Sequence, residues 1–152
     1  MRMESGRSLI ELIGVLAITG VIAASAIGMY RVIRTNQVRH ITSATLEQIA
    51  KNTKLLLEMR GDYTGVSIDY LIKSGALKSA TAPLGGSDWS VTASSDGKSF
   101  AINLTQLSSG DCQYLVSMPA SFATSVMVNG YTTDPDTRCY SAAPNQVSFI
   151  VE

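Results

Sequence analysis

Glu11 is the residue whose placement most needs a chemical explanation. It stands at the head of an apolar run from Leu9 to Tyr30, and no charged residue occurs from Leu12 to Tyr30. A carboxylate at mid-helix in hydrocarbon costs about 2.5–3.5 kcal/mol even on the mildest insertion scales, so such a residue normally faces a partner charge. Cys112 and Cys139 are the second candidate pair. An even pair beyond an apolar N-terminal segment reads as one disulfide in an oxidising compartment; two buried free thiols are the alternative. Other chemistry is thinly provided. His40 is the only histidine, so no Ser/His/Asp set has a base, and no CxxC or HxxxH spacing occurs to ligate a metal. Gly85-Gly86 lacks the lysine and spacing of a phosphate loop. Asp134-Pro135-Asp136 fits an ordinary turn, with calcium binding as the minority reading. The expectation is no catalytic residue, no metal and no cofactor, and a chain that is not an enzyme.

The element that must position Glu11 is a helix. Ala, Leu, Ile and Val dominate to Tyr30, and no proline appears before Pro83. The 19 residues Leu12 to Tyr30 are about the length that crosses a bilayer core of roughly 30 Å. After Arg31 the helix signal becomes amphipathic. Leu46, Ile49, Ala50, Thr53 and Leu57 form one stripe, and Arg39, Glu47, Lys51, Lys54 and Glu58 lie largely off it. Gly61 ends the pattern. One helix over about 8–60 would run roughly 80 Å at 1.5 Å per residue. That is too long for a domain of this size to bury, so its first half must meet lipid or other copies of itself.

The remainder reads as a small α+β module. Ser67 caps a short helix through Ser74, stopped by Gly75. Pro83 to Ser87 is a loop. Trp89–Val91 and Phe100-Ile102-Leu104 alternate as strands around the turn Ser95-Asp96-Gly97-Lys98. Ser108 or Ser109 opens a helix through Val116, halted by Pro119. Phe122 to Val128, the turn Asn129-Gly130, and Val147 to Val151 complete the set. Trp89 and the other aromatics read as packing residues. With 152 residues, zero net charge, 16% charged and 45% apolar content, the chain has room for one domain and a segment, carries no nucleic-acid footprint, and is not disordered.

Gly6-Arg7-Ser8-Leu9-Ile10-Glu11-Leu12 followed by an apolar helix resembles the class III signal of type IV pilins and pseudopilins. The long helix, Asp69-Tyr70-Leu71-Ile72-Lys73-Ser74-Gly75-Ala76-Leu77, Pro83-Leu84-Gly85-Gly86 and the C-terminal cysteine pair look like the type IVb branch. The resemblance implies a leader over 1–6 removed by prepilin peptidase after Gly6, with Arg7 as the new and often methylated N-terminus. The family usually has Phe or Met at that position. Glu11 is then the fifth mature residue. It implies a filament-core helix over 7–30, an amphipathic half over 31–60, and a globular head over 61–152 with a C-terminal disulfide loop. The fold class is α+β, a long helical spine packed on a small antiparallel β-sheet. The implied function is a structural subunit, held in the inner membrane with its head in the periplasm. Assembly machinery there would polymerise it with copies of itself into an extracellular pilus. A minor pilin or secretion pseudopilin is the alternative.

Cutting after Gly6 would expose an α-ammonium on Arg7, which Glu11 of a neighbouring copy can meet in low dielectric. The simpler alternative places Glu11 at headgroup level. Gly14, Gly20 and Gly28 each cost a helix about 1 kcal/mol relative to Ala, but let neighbouring helices approach closely. Local melting between Gly20 and Gly28 is the other reading the family offers. Two observations pull elsewhere. Ala24-Ser25-Ala26 resembles the cleavage site of a conventional secretory signal, which would release a soluble domain from near Ile27. Arg31, Arg34 and Arg39 follow the span while only Arg2 and Arg7 flank its start, so positive-inside counting places the C-terminal part in the cytoplasm.

Overall fold

The computed structural model describes residues 2–85, 88–132, 139–142 and 144–152, with residues 2–7 described as helical backbone only. Gly86, Ser87 and the Asp134-Pro135-Asp136 turn therefore lie outside the described residues. Helix α1 runs Arg2–Glu58 without interruption. It starts earlier than the Ser8 expected from the sequence, because Glu4 and the two methionine-arginine neighbours favour helix and a single Gly6 costs too little to stop it. Its end is as expected. Gly61 takes φ +88°, and the Arg60 and Gly61 amides donate to the Leu57 carbonyl, closing the last turn.

Two compact units divide α1 between them, Met1–Gln37 and Val38–Glu152. In the first, apolar side chains from Leu9 to Ile33 are exposed all round the helix. Ser8–Glu58 contains a window with mean hydropathy 2.2, long and apolar enough to cross a membrane.

The second unit is built on a four-stranded sheet in the order β1-β2-β4-β3, with every pair antiparallel. The strands are β1 Ser90–Ala93, β2 Phe100–Leu107, β3 Ser125–Val128 and β4 Asn145–Val151. Helices α2 Ile68–Lys73 and α3 Ser109–Ser117 precede and interrupt them. Both start as expected from a serine cap: the Ser67 hydroxyl accepts from the Tyr70 amide, and the Ser108 hydroxyl from the Asp111 amide. The stripe Leu46, Ile49, Ala50, Thr53 and Leu57 is at most 1% exposed. Its apolar members share one core with Leu71, Trp89, Ile102, Leu115 and Phe149. Trp89 is buried just before β1 rather than within it, its amide donating to the Ala80 carbonyl at 2.7 Å. Likewise β3 begins at Ser125, not Phe122. Phe122 packs its ring against Phe149 at 5.6 Å from the connection before the strand.

Two turns take the conformations that their residues favour. In the β1–β2 hairpin Gly97 takes φ +70°. The Asp96 carboxylate accepts from the Ser94 hydroxyl and the Lys98 amide, and these two bonds hold it below the usual carboxylate range. Asn129 and Gly130 take φ +50° and +86°, the two positive values that a tight hairpin turn demands. Within β2, Thr105 and Gln106 stand opposite a single residue of β4, since Leu104 pairs with Val147 and Leu107 with Asn145. Gln106 takes φ +57° there. This bulge shifts the alternation by one, so that Leu107 faces the core along with Leu104.

Thr53 is the one stripe residue whose chemistry does not suit its place. Its hydroxyl is buried and has no hydrogen-bond partner among the described residues. Thr53→Val keeps the shape and removes the unpaired group, so it should stabilise the fold by about 1 kcal/mol. A urea midpoint equal to or below that of the parent chain would contradict this.

Candidate assembly site

In the first unit the aliphatic hydroxyls of Thr19, Ser25 and Thr35 are satisfied locally. The Thr19, Ser25 and Thr35 hydroxyls donate to the carbonyls of Val15, Val21 and Arg31 at 2.7, 2.8 and 2.9 Å. Folding each hydroxyl back on the preceding turn leaves no orphan donor facing outward, as hydrocarbon requires. Glu11 is different. It is exposed on α1 and has no ion-pair partner among the described residues. Arg7 and Gly6 lie in the same helical backbone, and the Arg7 side chain is outside the described residues.

Gly14, Gly20 and Gly28 all lie within α1, in unbroken helix. A Cβ built on any of them would meet nothing within 4 Å. Nothing among the described residues therefore explains why these positions are glycine rather than the better helix former alanine. They are shallow places on a surface with no partner among the described residues.

In the second unit Cys112 and Cys139 form a disulfide, with Cα atoms 6.0 Å apart. Cys112 is fully buried on α3. Beyond Cys139 the chain is held by Asn145, whose side-chain oxygen accepts from the Tyr140 amide at 2.6 Å and from the Asn129 amide group at 3.0 Å. Its nitrogen donates to the Tyr140 carbonyl at 3.0 Å and to the Leu107 carbonyl at 3.4 Å. One buried side chain thus ties the disulfide segment, the Asn129-Gly130 turn and the end of β2 together.

Arg39 makes a further long-range link. Its guanidinium lies 3.4 Å from the Asp111 carboxylate and 5.2 Å from the Tyr114 ring centroid. Asp111 and Tyr114 sit on α3, so this cluster and the disulfide both act on that short helix. Neither partner is legible in the sequence, because Arg39 and Asp111 are 72 positions apart and Tyr114 lies further on. No group of three His, Cys, Asp or Glu side chains converges as a metal site would among the described residues.

No protein-family model matches the chain, and no curated protein matches it. Solved structures do. TcpA, a type IV pilin from the Vibrio cholerae El Tor biotype, superposes with a TM-score of 0.64 at 14% sequence identity. The match covers 76% of this chain and 99% of that one. The fold is that of a type IV pilin. An α-helical spine packed on a four-stranded antiparallel sheet is the architecture expected from the resemblance of the signal and the C-terminal motifs. At this identity the pilin fold is what the comparison carries; what the chain does with it rests on its own residues.

Proposed function

We propose that the chain is a structural pilin subunit of the type IVb kind, not an enzyme. It waits in the inner membrane on the first part of α1, with its C-terminal unit outside the cytoplasm. There the pilus assembly machinery polymerises it with copies of itself into an extracellular fibre. One observation carries this reading: in a chain with the pilin fold, the stretch of α1 from Leu9 to Tyr30 is apolar on every side and displays a single carboxylate, Glu11, that finds no partner among the described residues. The fibre supplies both missing partners. Helices from other copies cover the apolar surface and the glycines, and a processed neighbour's α-ammonium faces Glu11. The Cys112–Cys139 disulfide fits a compartment beyond the cytoplasm and speaks against the orientation that counting positive charges implies. A conventional signal cut near Ala26 would divide α1 where it is continuous helix, with Ser25 bonded to Val21.

Processing is tested at Gly6. A peptidase groove that holds the backbone closely will not admit a side chain at that position. A bulky substitution, Gly6→Leu, should therefore accumulate as uncut precursor, while the parent chain yields a mature N-terminus at Arg7. N-terminal sequencing decides the matter. A start near Ile27 in the parent chain, or a start at Arg7 in the variant, would count against prepilin-type processing.

A further inference from the structure

The charge pattern of α1 changes at Arg31. No acidic residue occurs between Glu11 and Glu47, whereas Arg31, Arg34, Arg39 and His40 all fall in that interval. Arg39 is engaged by Asp111 and Tyr114. Arg31 and Arg34 are exposed, and the ion pairs among the described residues, Arg39–Asp111, Lys51–Glu47 and Arg60–Asp62, include neither. Spaced i and i+3 on continuous helix, their guanidiniums share one side of it.

Their depth is fixed by the run before them. The 19 uncharged residues from Leu12 to Tyr30 extend about 28 Å, close to the roughly 30 Å of a bilayer's hydrocarbon. Arg31 therefore emerges where the phosphates lie. Tyr30, 62% exposed, stands at the same level, the depth at which tyrosine is enriched in membrane helices. Two unpaired guanidiniums there face a plane of phosphate oxygens, whose geometry a guanidinium matches with two parallel bonds.

Resting on the membrane reading above, we propose that Arg31 and Arg34 form a binding site for an anionic phospholipid in the leaflet that Arg31 reaches. An anionic headgroup is favoured over a zwitterionic one because the latter carries its own cation beside the phosphate. The pair holds such lipids around the waiting subunit, which must give them up on entering a fibre.

The test uses the full chain in nanodiscs of phosphatidylcholine with a minority of phosphatidylglycerol, and native mass spectrometry of the lipids that stay bound on release. Phosphatidylglycerol should be enriched about fivefold per arginine and about 30-fold for the pair at low salt, the equivalent of ~1 kcal/mol per basic residue. The enrichment should fall as salt is raised and resist excess inorganic phosphate. It should disappear in the Arg31→Gln/Arg34→Gln variant, whose circular dichroism should match the parent. Equal enrichment in parent and variant overturns the proposal. So does a variant that loses fibre assembly with its lipid adducts unchanged, which would assign the arginines to carboxylates of a neighbouring copy. A chain that alkaline carbonate strips from vesicles of either composition would sink the membrane reading itself. Insertion without preference sinks only the lipid site.

Discussion

Glu11→Ala is expected to leave the chain in the membrane fraction and to abolish fibre formation. The variant removes the only charge in the apolar surface of α1 from Leu9 to Tyr30, so membrane residence should, if anything, be favoured. Assembly is another matter. In the proposed fibre, the carboxylate and a neighbour's α-ammonium would both be withdrawn from water, each tolerable only because the other is present. Deleting one member strands the other at about 3–5 kcal/mol per contact, which is over 100-fold in subunit affinity. A fibre repeats that loss at every subunit, so the yield of sheared fibres should fall below detection. Glu11→Gln sharpens the test. It keeps the length and hydrogen-bonding capacity of the side chain and lacks the charge, so a charge-pairing role predicts failure here as well. Normal fibre yield from either variant would return Glu11 to the simpler role of a headgroup-level carboxylate.

What could be read in advance divides by the range of the interaction. The stripe Leu46, Ile49, Ala50, Thr53 and Leu57 is a helical period, and all five are buried. The serine caps at Ser67 and Ser108 and the turns at Gly97 and Asn129-Gly130 are local stereochemistry, and each acts where it was expected. Readings failed where distant residues decide. The residue types from Phe122 onward favour a strand, but β3 starts at Ser125 and the Phe122 ring packs on Phe149. The bulge at Thr105 and Gln106 is set by pairing with β4, about 40 residues on, and nothing in the β2 sequence announces it. The Arg39–Asp111–Tyr114 cluster and the Asn145 hub are of the same kind: polar side chains whose partners are chosen by the finished fold. Glu11 is the opposite case. Its oddity is plain from the sequence alone, and a single chain offers it no partner among the described residues.

The Cys112–Cys139 bond should account for a large part of the stability of the second unit. The two residues are 27 apart in sequence, and the chain-entropy model assigns about 3–4 kcal/mol to closing a loop of that size. Typical domains have only about 5–15 kcal/mol in total. The bond joins α3 to the segment that Asn145 anchors against Leu107 and Asn129, so separating the sulfurs removes the covalent tie between them. Cys112 is also fully buried, so Cys112→Ser adds an unpaired hydroxyl to the lost cross-link. Cys112→Ala/Cys139→Ala separates these contributions, since it removes the bond without burying a polar atom. The double variant should unfold at a urea midpoint lowered by about 1–3 M, and Cys112→Ser should be less stable still. In cells both should be degraded or yield few fibres, because a subunit outside the cytoplasm must persist without refolding help. Thiol titration of the parent chain under denaturing, non-reducing conditions gives the direct check: reaction of two equivalents of reagent would show the bond absent from the exported protein. The case for a subunit that folds beyond the cytoplasm would then rest on the N-terminal motif and the fold alone.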